Sequence, residues 1–245
     1  MKNYGAFNLR HLAKGLKYNN LKPEELGITA NQVKVLKSWL KLTGLSNGKK
    51  LTHLGGLIKA YDRFLEENIT MEVMHYKILT YDQDSILRLV FSLSDFDKQY
   101  ILKELSGLYE FKSDLIVADL NVLLNMYIPK IAEKESMNRA LLPLIRKQGD
   151  FYCKREYKPN IWVALAIIID NLPEPTLDNN ASWLEFNTIY STFKNVFGLE
   201  YRTVEDILYK LQNMGFVKIR KSHIEISCNY IFLDCIEKAY KELEV

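Results

Sequence analysis

The sequence predicts a mainly α-helical protein. It has a helical core, an N-terminal element in which a basic helix runs into a tight turn, and a C-terminal module of two helices and a hairpin. Three observations carry this. Apolar residues recur every three or four positions through most of the 245 residues, the period of a helix with one buried face. Residues 161–169 are apolar throughout and closed by Asp170; at about half a membrane span this reads as a buried helix. Apolar and polar residues alternate in two arms over 216–226, which reads as a β-hairpin.

Taken in order, Phe7, Leu9, Leu12 and Leu16, beside Arg10, Lys14 and Lys17, suggest a short amphipathic helix within residues 4–21. Pro23-Glu24-Glu25-Leu26 puts proline and two acids in a first helical turn, as a helix N-terminus prefers. Val33, Leu36 and Leu40 recur at helical spacing, widened by Val35, Trp39 and Leu42, and Gly44 ends the run. Ser46-Asn47-Gly48 is a turn before a short apolar stretch from Leu51. Further helices are expected over 57–65, 70–79 (Met71, Met74 and Ile78 inward), 86–91 and 96–105, the last capped by Asp95.

Residues 114–127 are apolar over most of a helical circumference, as in a central core helix. Residues 133–138 read as a polar connector, and 141–145 with 149–154 as an element followed by a short strand. Asn171, Pro173 and Pro175 break regular structure, placing a domain boundary near 171–182. Beyond it Ile189, Phe193, Val196 and Phe197 lead to Gly198. Thr203 then caps a helix with Val204, Ile207, Leu208 and Leu211 inward, ending at Met214-Gly215. The expected domains are residues 1–60, 61–170 and 183–245.

Charge is unevenly spread. Residues 1–60 hold 11 Lys and Arg against 2 Asp and Glu, a surplus of +9, while the whole chain is +3. A cationic first quarter on a mildly acidic body is the footprint of a phosphate-binding surface. Lys34, Lys37 and Lys41 stand at i, i+3 and i+7, a narrow stripe opposite the apolar face, and Lys49 and Lys50 follow in the turn. Helix, glycine stop, basic turn and short apolar run fit the recognition helix and wing of a winged helix-turn-helix. The same lysines also suit a solvated helix face or an acidic protein partner. The C-terminal module is a second winged-helix candidate. Its helix exposes Glu205 and Asp206, so a DNA contact there would come from Lys218, Arg220, Lys221 and His223 of the hairpin. A protein partner for this module stays equally open.

Cys153, Cys228 and Cys235 are too few and scattered for a disulfide framework, and the N-terminus lacks the apolar run of a signal peptide. A cytoplasmic protein that crosses no membrane is expected. No Gly-rich phosphate loop, dinucleotide turn or zinc-ligand cluster occurs. His11, His53, His75 and His223 lie far apart, and His75 reads as a core histidine bonded to a backbone carbonyl. Cys228 and Cys235 read as buried thiols. The one enzyme-like pattern is Asp97 with Glu110-Phe111-Lys112, echoed by Glu156-Tyr157-Lys158. A magnesium nuclease of that kind needs acidic ligands at adjacent strand ends and a lysine. Asp97 falls in an expected helix and Glu-x-Lys is common by chance, so a nuclease is the minor reading. No cofactor or metal is expected.

The order of motifs resembles one family, the bacterial and archaeal proteins of unknown function designated DUF4007. The resemblance runs through Phe7, Leu12, Lys14-Gly15, Leu26-Gly27, Asn31, Trp39 and Gly44-Leu45 to Leu51-Thr52 and Gly55. It continues with Asp62, Leu65-Glu66-Glu67, His75, Leu79, Asp119, Leu123-Leu124 and Tyr127, and past Glu135 with Leu141, Leu144-Ile145 and Phe151-Tyr152. It covers roughly the first 170 residues. This chain has the plainer Tyr4-Gly5-Ala6-Phe7 where the family carries an aromatic-proline motif. The resemblance implies an accessory protein of phage-defence and DNA-modification gene clusters, including those for DNA phosphorothioation, and it supplies no catalytic residues to carry over. The function expected is a non-enzymatic DNA-binding or adaptor component. A winged-helix transcriptional regulator and a scaffold for a partner enzyme are the alternatives.

Overall fold

Leu9, Leu12 and Leu16 put one apolar face on α1 (Leu9–Lys17), and all three are buried. After a single turn, α2 (Pro23–Leu26), Gly27 takes a left-handed conformation and Thr29 starts α3 (Ala30–Leu42). The start is a reciprocal cap: Gln32 N donates to Thr29 Oγ1 and Thr29 N donates to Gln32 Oε1. Gly44, at φ +73, ends α3. Leu45 N returns to Leu40 O and Gly44 N to Lys41 O, the paired bonds of a Schellman motif. α1 packs on α2, α3 and α4 (His53–Tyr61), forming a small helical cluster.

The computed structural model describes residues 7–17, 21–81, 86–108, 113–128, 141–173 and 183–244. The chain forms two compact units, Met1–Arg155 and Glu156–Val245. The expected polar connector 133–138 and the Glu110–Lys112 motif lie outside the described residues, as do residues 174–182 and Tyr4-Gly5-Ala6.

Among the described residues the fold is mainly helical, with two three-stranded antiparallel sheets. In the first unit α5 (Asn68–Tyr81) is buried on almost every side, with Met71, Met74 and Ile78 inward as expected. It is followed by α6 (Ile86–Ser92), a strand β1 (Asp95–Asp97), α7 (Lys98–Leu108) and α8 (Ser113–Tyr127). The hairpin β2 (Ile145–Gln148) and β3 (Phe151–Lys154) completes a sheet in the order β1-β3-β2. His75 is fully buried, and its Nδ1 lies 2.9 Å from the Tyr127 hydroxyl, with Phe91 edge-on to both rings. It is a core histidine, as expected, and one of its ring nitrogens meets a tyrosine hydroxyl. Burial holds the Tyr127 hydroxyl protonated far above its ordinary value.

Three expectations are corrected. Residues 95–97 are strand, not the opening of a helix. Phe96 is buried and stacks on Tyr152 across the ladder, while Asp95 faces water. The α7 cap is Asp97, whose Oδ1 accepts from Tyr100 N at 2.7 Å. Thr203 sits inside its helix, which begins at Tyr201 after Glu200. The division between units falls after Arg155, not near 171–182. The reason is α9 (Ile161–Asp170), which packs chiefly on the C-terminal helix α12 (Phe232–Lys241), an element the sequence reading did not anticipate. The face of α12 carrying Cys235, Ile236, Ala239 and Tyr240 is buried.

The second unit otherwise follows its pattern. β4 (Trp183–Glu185) leads directly into α10 (Phe186–Phe197), and α11 (Tyr201–Asn213) precedes the hairpin β5 (Val217–Arg220) and β6 (His223–Ile226). Its sheet order is β4-β6-β5. Burial pushes the Cys235 thiol up to about 12, with Cys228 and Asp234 adding to the shift, so at neutral pH it is an inert packing group. Cys228 is only half-buried.

The acidic motif at Asp62 has a structural job. Its buried carboxylate accepts from Glu66 N, Glu67 N and the Thr70 hydroxyl, tying the end of α4 to the start of α5. Asp62→Ala leaves these donors without their acceptor. It is expected to cost about 2–4 kcal/mol, read as a lower urea midpoint, with Asp62→Asn in between.

Candidate nucleic-acid interface

The α3 face opposite Val33, Leu36 and Leu40 carries the three lysines of the stripe. Lys34, Lys37 and Lys41 are exposed, within one narrow arc of the helix. Lys41 Nζ lies 5.7 Å from the centre of the Tyr81 ring. The turn after α3 is a built structure and not a strand: Ser46 and Leu51 form a lone bridge, and Thr52 caps α4 at once. Asn47 Oδ1 accepts from Lys49 N and Lys50 N, both at 3.0 Å. Ser46 Oγ accepts from Gly48 N and donates to Lys50 O. At the base, Thr52 N donates to Leu45 O and Thr52 Oγ1 to Gly44 O. The backbone of the turn is therefore pinned while the Lys49 and Lys50 side chains stay exposed.

Several other cations of the first 60 residues are engaged locally. Lys14 Nζ donates to Leu26 O at 2.8 Å, Lys59 Nζ to Lys17 O, and Lys22 faces Glu25 at 3.9 Å. His11 is pushed below its ordinary value, first by burial and then by Lys14 and Arg10, so it adds no charge at neutral pH. By contrast Lys34, Lys37, Lys41, Lys49 and Lys50 have no acidic partner among the described residues. The five residues singled out by sequence stand together on consecutive elements.

The second set lies on one hairpin. Lys218 and Arg220 are on β5 and Lys221 in its turn, all exposed. Glu225 of β6 is opposite Lys218 in register and 3.6 Å from Arg220, so it offsets part of this charge. On α11 Asp206, Tyr209 and Lys210 are exposed and Glu205 is half-buried. A third basic set, on the β2–β3 hairpin, escaped the sequence reading: Arg146 and Lys147 of β2 are exposed, as is Phe151 of β3. The signal was the two-residue gap Gly149-Asp150, with Gly149 at φ +61.

Of the enzyme-like pattern, Asp97 stands at a strand end, as such a site would want. Glu156 is exposed, with Oε1 accepting from Glu200 N at 3.3 Å. Among the described residues no three His, Cys, Asp or Glu side chains gather as metal ligands. No helix there is long and apolar enough to cross a membrane.

The sequence pattern of a family described as "Protein of unknown function (DUF4007)" matches residues 11–228. The chain belongs to this family. The match extends past the first 170 residues and takes in the β5–β6 hairpin. No curated protein matches the chain. A solved structure described as "Magnesium ion-bound SspB crystal structure" is similar in fold, with a TM-score of 0.75 over 98% of this chain and 86% of that one. Sequence identity with it is 14%, so what the two share is the fold.

Proposed function

We propose that this chain is a DNA-binding or adaptor component of a bacterial DNA-modification or phage-defence system. In this reading α3 and the turn 46–51 are the recognition helix and wing of a winged helix-turn-helix, and α10, α11 and the β5–β6 hairpin form a second one. One observation carries it. Five exposed lysines without acidic partners share the helix and the pinned turn that follows it, within the segment of surplus charge. Lysines so placed neutralise phosphates and release counterions, giving affinity without sequence preference. The gene-cluster setting rests on family resemblance. The protein is expected to bind random duplex with log K falling against log salt at a slope of about −3 to −5, for about three to six phosphates contacted. A flat salt response, or no binding at low salt, removes this reading in favour of a protein scaffold. A palindromic preference by a dimer favours the transcriptional regulator.

A second reading is favoured by a separate observation. The solved structure of similar fold is magnesium ion-bound, and Asp97 lies at a strand end rather than within a helix. Asp97 with Glu110 and Lys112 would then serve a metal-dependent phosphodiester cleavage. On the binding reading, supercoiled plasmid stays intact with Mg²⁺ or Mn²⁺. Cleavage that Glu110→Gln abolishes, with the unfolding midpoint unchanged, establishes the second reading instead.

A further inference from the structure

The second unit has a cavity of about 330 Å³ between α11 and the tip of the β5–β6 hairpin. Tyr201, Glu205 and Tyr209 follow at four-residue intervals and line it from one strip of α11. Tyr201 and Tyr209 are 47% and 53% exposed, high for rings that large. The Tyr201 ring is backed by Phe186 at 4.8 Å and Tyr190 at 5.5 Å, which makes it a fixed wall. Across from it, Phe186 N donates to Ser222 O at 2.9 Å, and Ile219 N donates to Gln212 Oε1 at 2.9 Å. Those bonds hold both ends of the hairpin tip to the helices, so the cavity is preformed.

Two opposite charges face it. Glu205 and Lys221 both line the cavity, yet they make no ion pair with each other or with any other described residue. A carboxylate accepts hydrogen bonds only, and an ammonium donates only. The complementary ligand is flat, bears amino-group donors at one edge and carries a negative group at the other. A guanidinium side chain would satisfy Glu205 and the rings but would meet Lys221 as a like charge.

We propose that this cavity takes a single nucleotide from an unpaired or extruded strand. The base stacks on the tyrosines, its amino edge meets Glu205, and its phosphate meets Lys221. This deepens the DNA-binding reading by giving the C-terminal hairpin a different task from the N-terminal lysines. It also gives Glu205 of α11 a use, since a carboxylate there opposes phosphate but suits an exocyclic amine. Uracil presents a carbonyl where cytosine presents its amine, and a carboxylate repels it.

The test is titration of the full chain with deoxycytidine and deoxyuridine monophosphates, followed by tyrosine fluorescence or ring resonances. The cytosine nucleotide is expected to bind roughly tenfold more tightly. Glu205→Gln should abolish that preference, and Tyr209→Leu should weaken both nucleotides by roughly tenfold. Lys221→Ala should weaken the nucleotides but not free deoxycytidine. All three positions are exposed or half-exposed, and a matched unfolding midpoint confirms that each variant folds. No binding, equal binding of the two nucleotides, or tighter binding of N-acetylarginine amide overturns the proposal, the last making the cavity a peptide site. The triple change of Lys34, Lys37 and Lys41 should leave nucleotide binding intact. Failure of the duplex reading would show in the salt slope alone, so the two are separable.

Discussion

Replacing Lys34, Lys37 and Lys41 together with alanine should reduce the salt slope of duplex binding by about two to three units, since roughly 0.9 counterions are released per phosphate. The three side chains are exposed and share one face of α3, so they can follow one phosphate backbone together. Fold and stability should hardly change, because Val33, Leu36, Trp39 and Leu40 keep their buried contacts on the other face. Alanine is also the better helix former, which offsets any loss of local solvation. The comparison is with Lys218, Arg220 and Lys221 changed together. That variant should lose less duplex affinity, because Glu225 already pairs with Arg220 and Glu205 of α11 lines the same cavity as Lys221. Both variants are measured on one duplex across one salt series. If the hairpin variant loses binding and the α3 variant keeps it, the two modules have been assigned the wrong way round.

How far the sequence foretold this depends on the range of the interactions involved. α3 was legible because its signals are local: the apolar stripe from Val33 and the stop at Gly44 lie on one short stretch of chain. The β5–β6 hairpin was legible for the same reason, its two arms lying on either side of a short turn. β1 was not. Asp95–Asp97 is strand only because Phe96 stacks on Tyr152, which lies far along the chain, and its own three residues fit a helix start equally well. The unit division was missed likewise. The run Ile161–Ile169 announces burial without saying what covers it, and the cover is α12. The basic residues were all visible in sequence, but which of them are engaged was not. Lys14 and Lys59 spend their charge on backbone carbonyls that come near only in the folded cluster. The cavity beside α11 was also beyond reach, since Tyr201 and Tyr209 were separated from Lys221 until the hairpin folded back.

Two adjacent glycines should respond to the same substitution with opposite sign. Gly55 and Gly56 are neighbours in α4, and neither needs a left-handed backbone. A Cβ at Gly55 would lie 2.0 Å from Leu45 O and 2.9 Å from Leu45 C. The obstacle is backbone, which cannot turn aside as a side chain does. That carbonyl is also fixed by its bond from Thr52 N. Gly55→Ala must therefore push α4 away from the end of α3. A loss of about 3 kcal/mol is expected, at the upper end of overpacking costs. The displacement should also loosen the turn that carries Lys49 and Lys50, because Thr52 anchors it through Gly44 O and Leu45 O. Duplex affinity should then fall even among molecules that remain folded. A Cβ at Gly56 meets nothing within 4 Å and the site is exposed. Gly56→Ala should thus stabilise by about 0.5–1 kcal/mol through helix propensity and leave DNA binding unchanged. Urea unfolding of both variants, with duplex binding measured well below their midpoints, checks the pair. Equal stability of the two variants would mean that α4 does not press on the Leu45 carbonyl, and the rigid turn inferred from that contact would have to be given up.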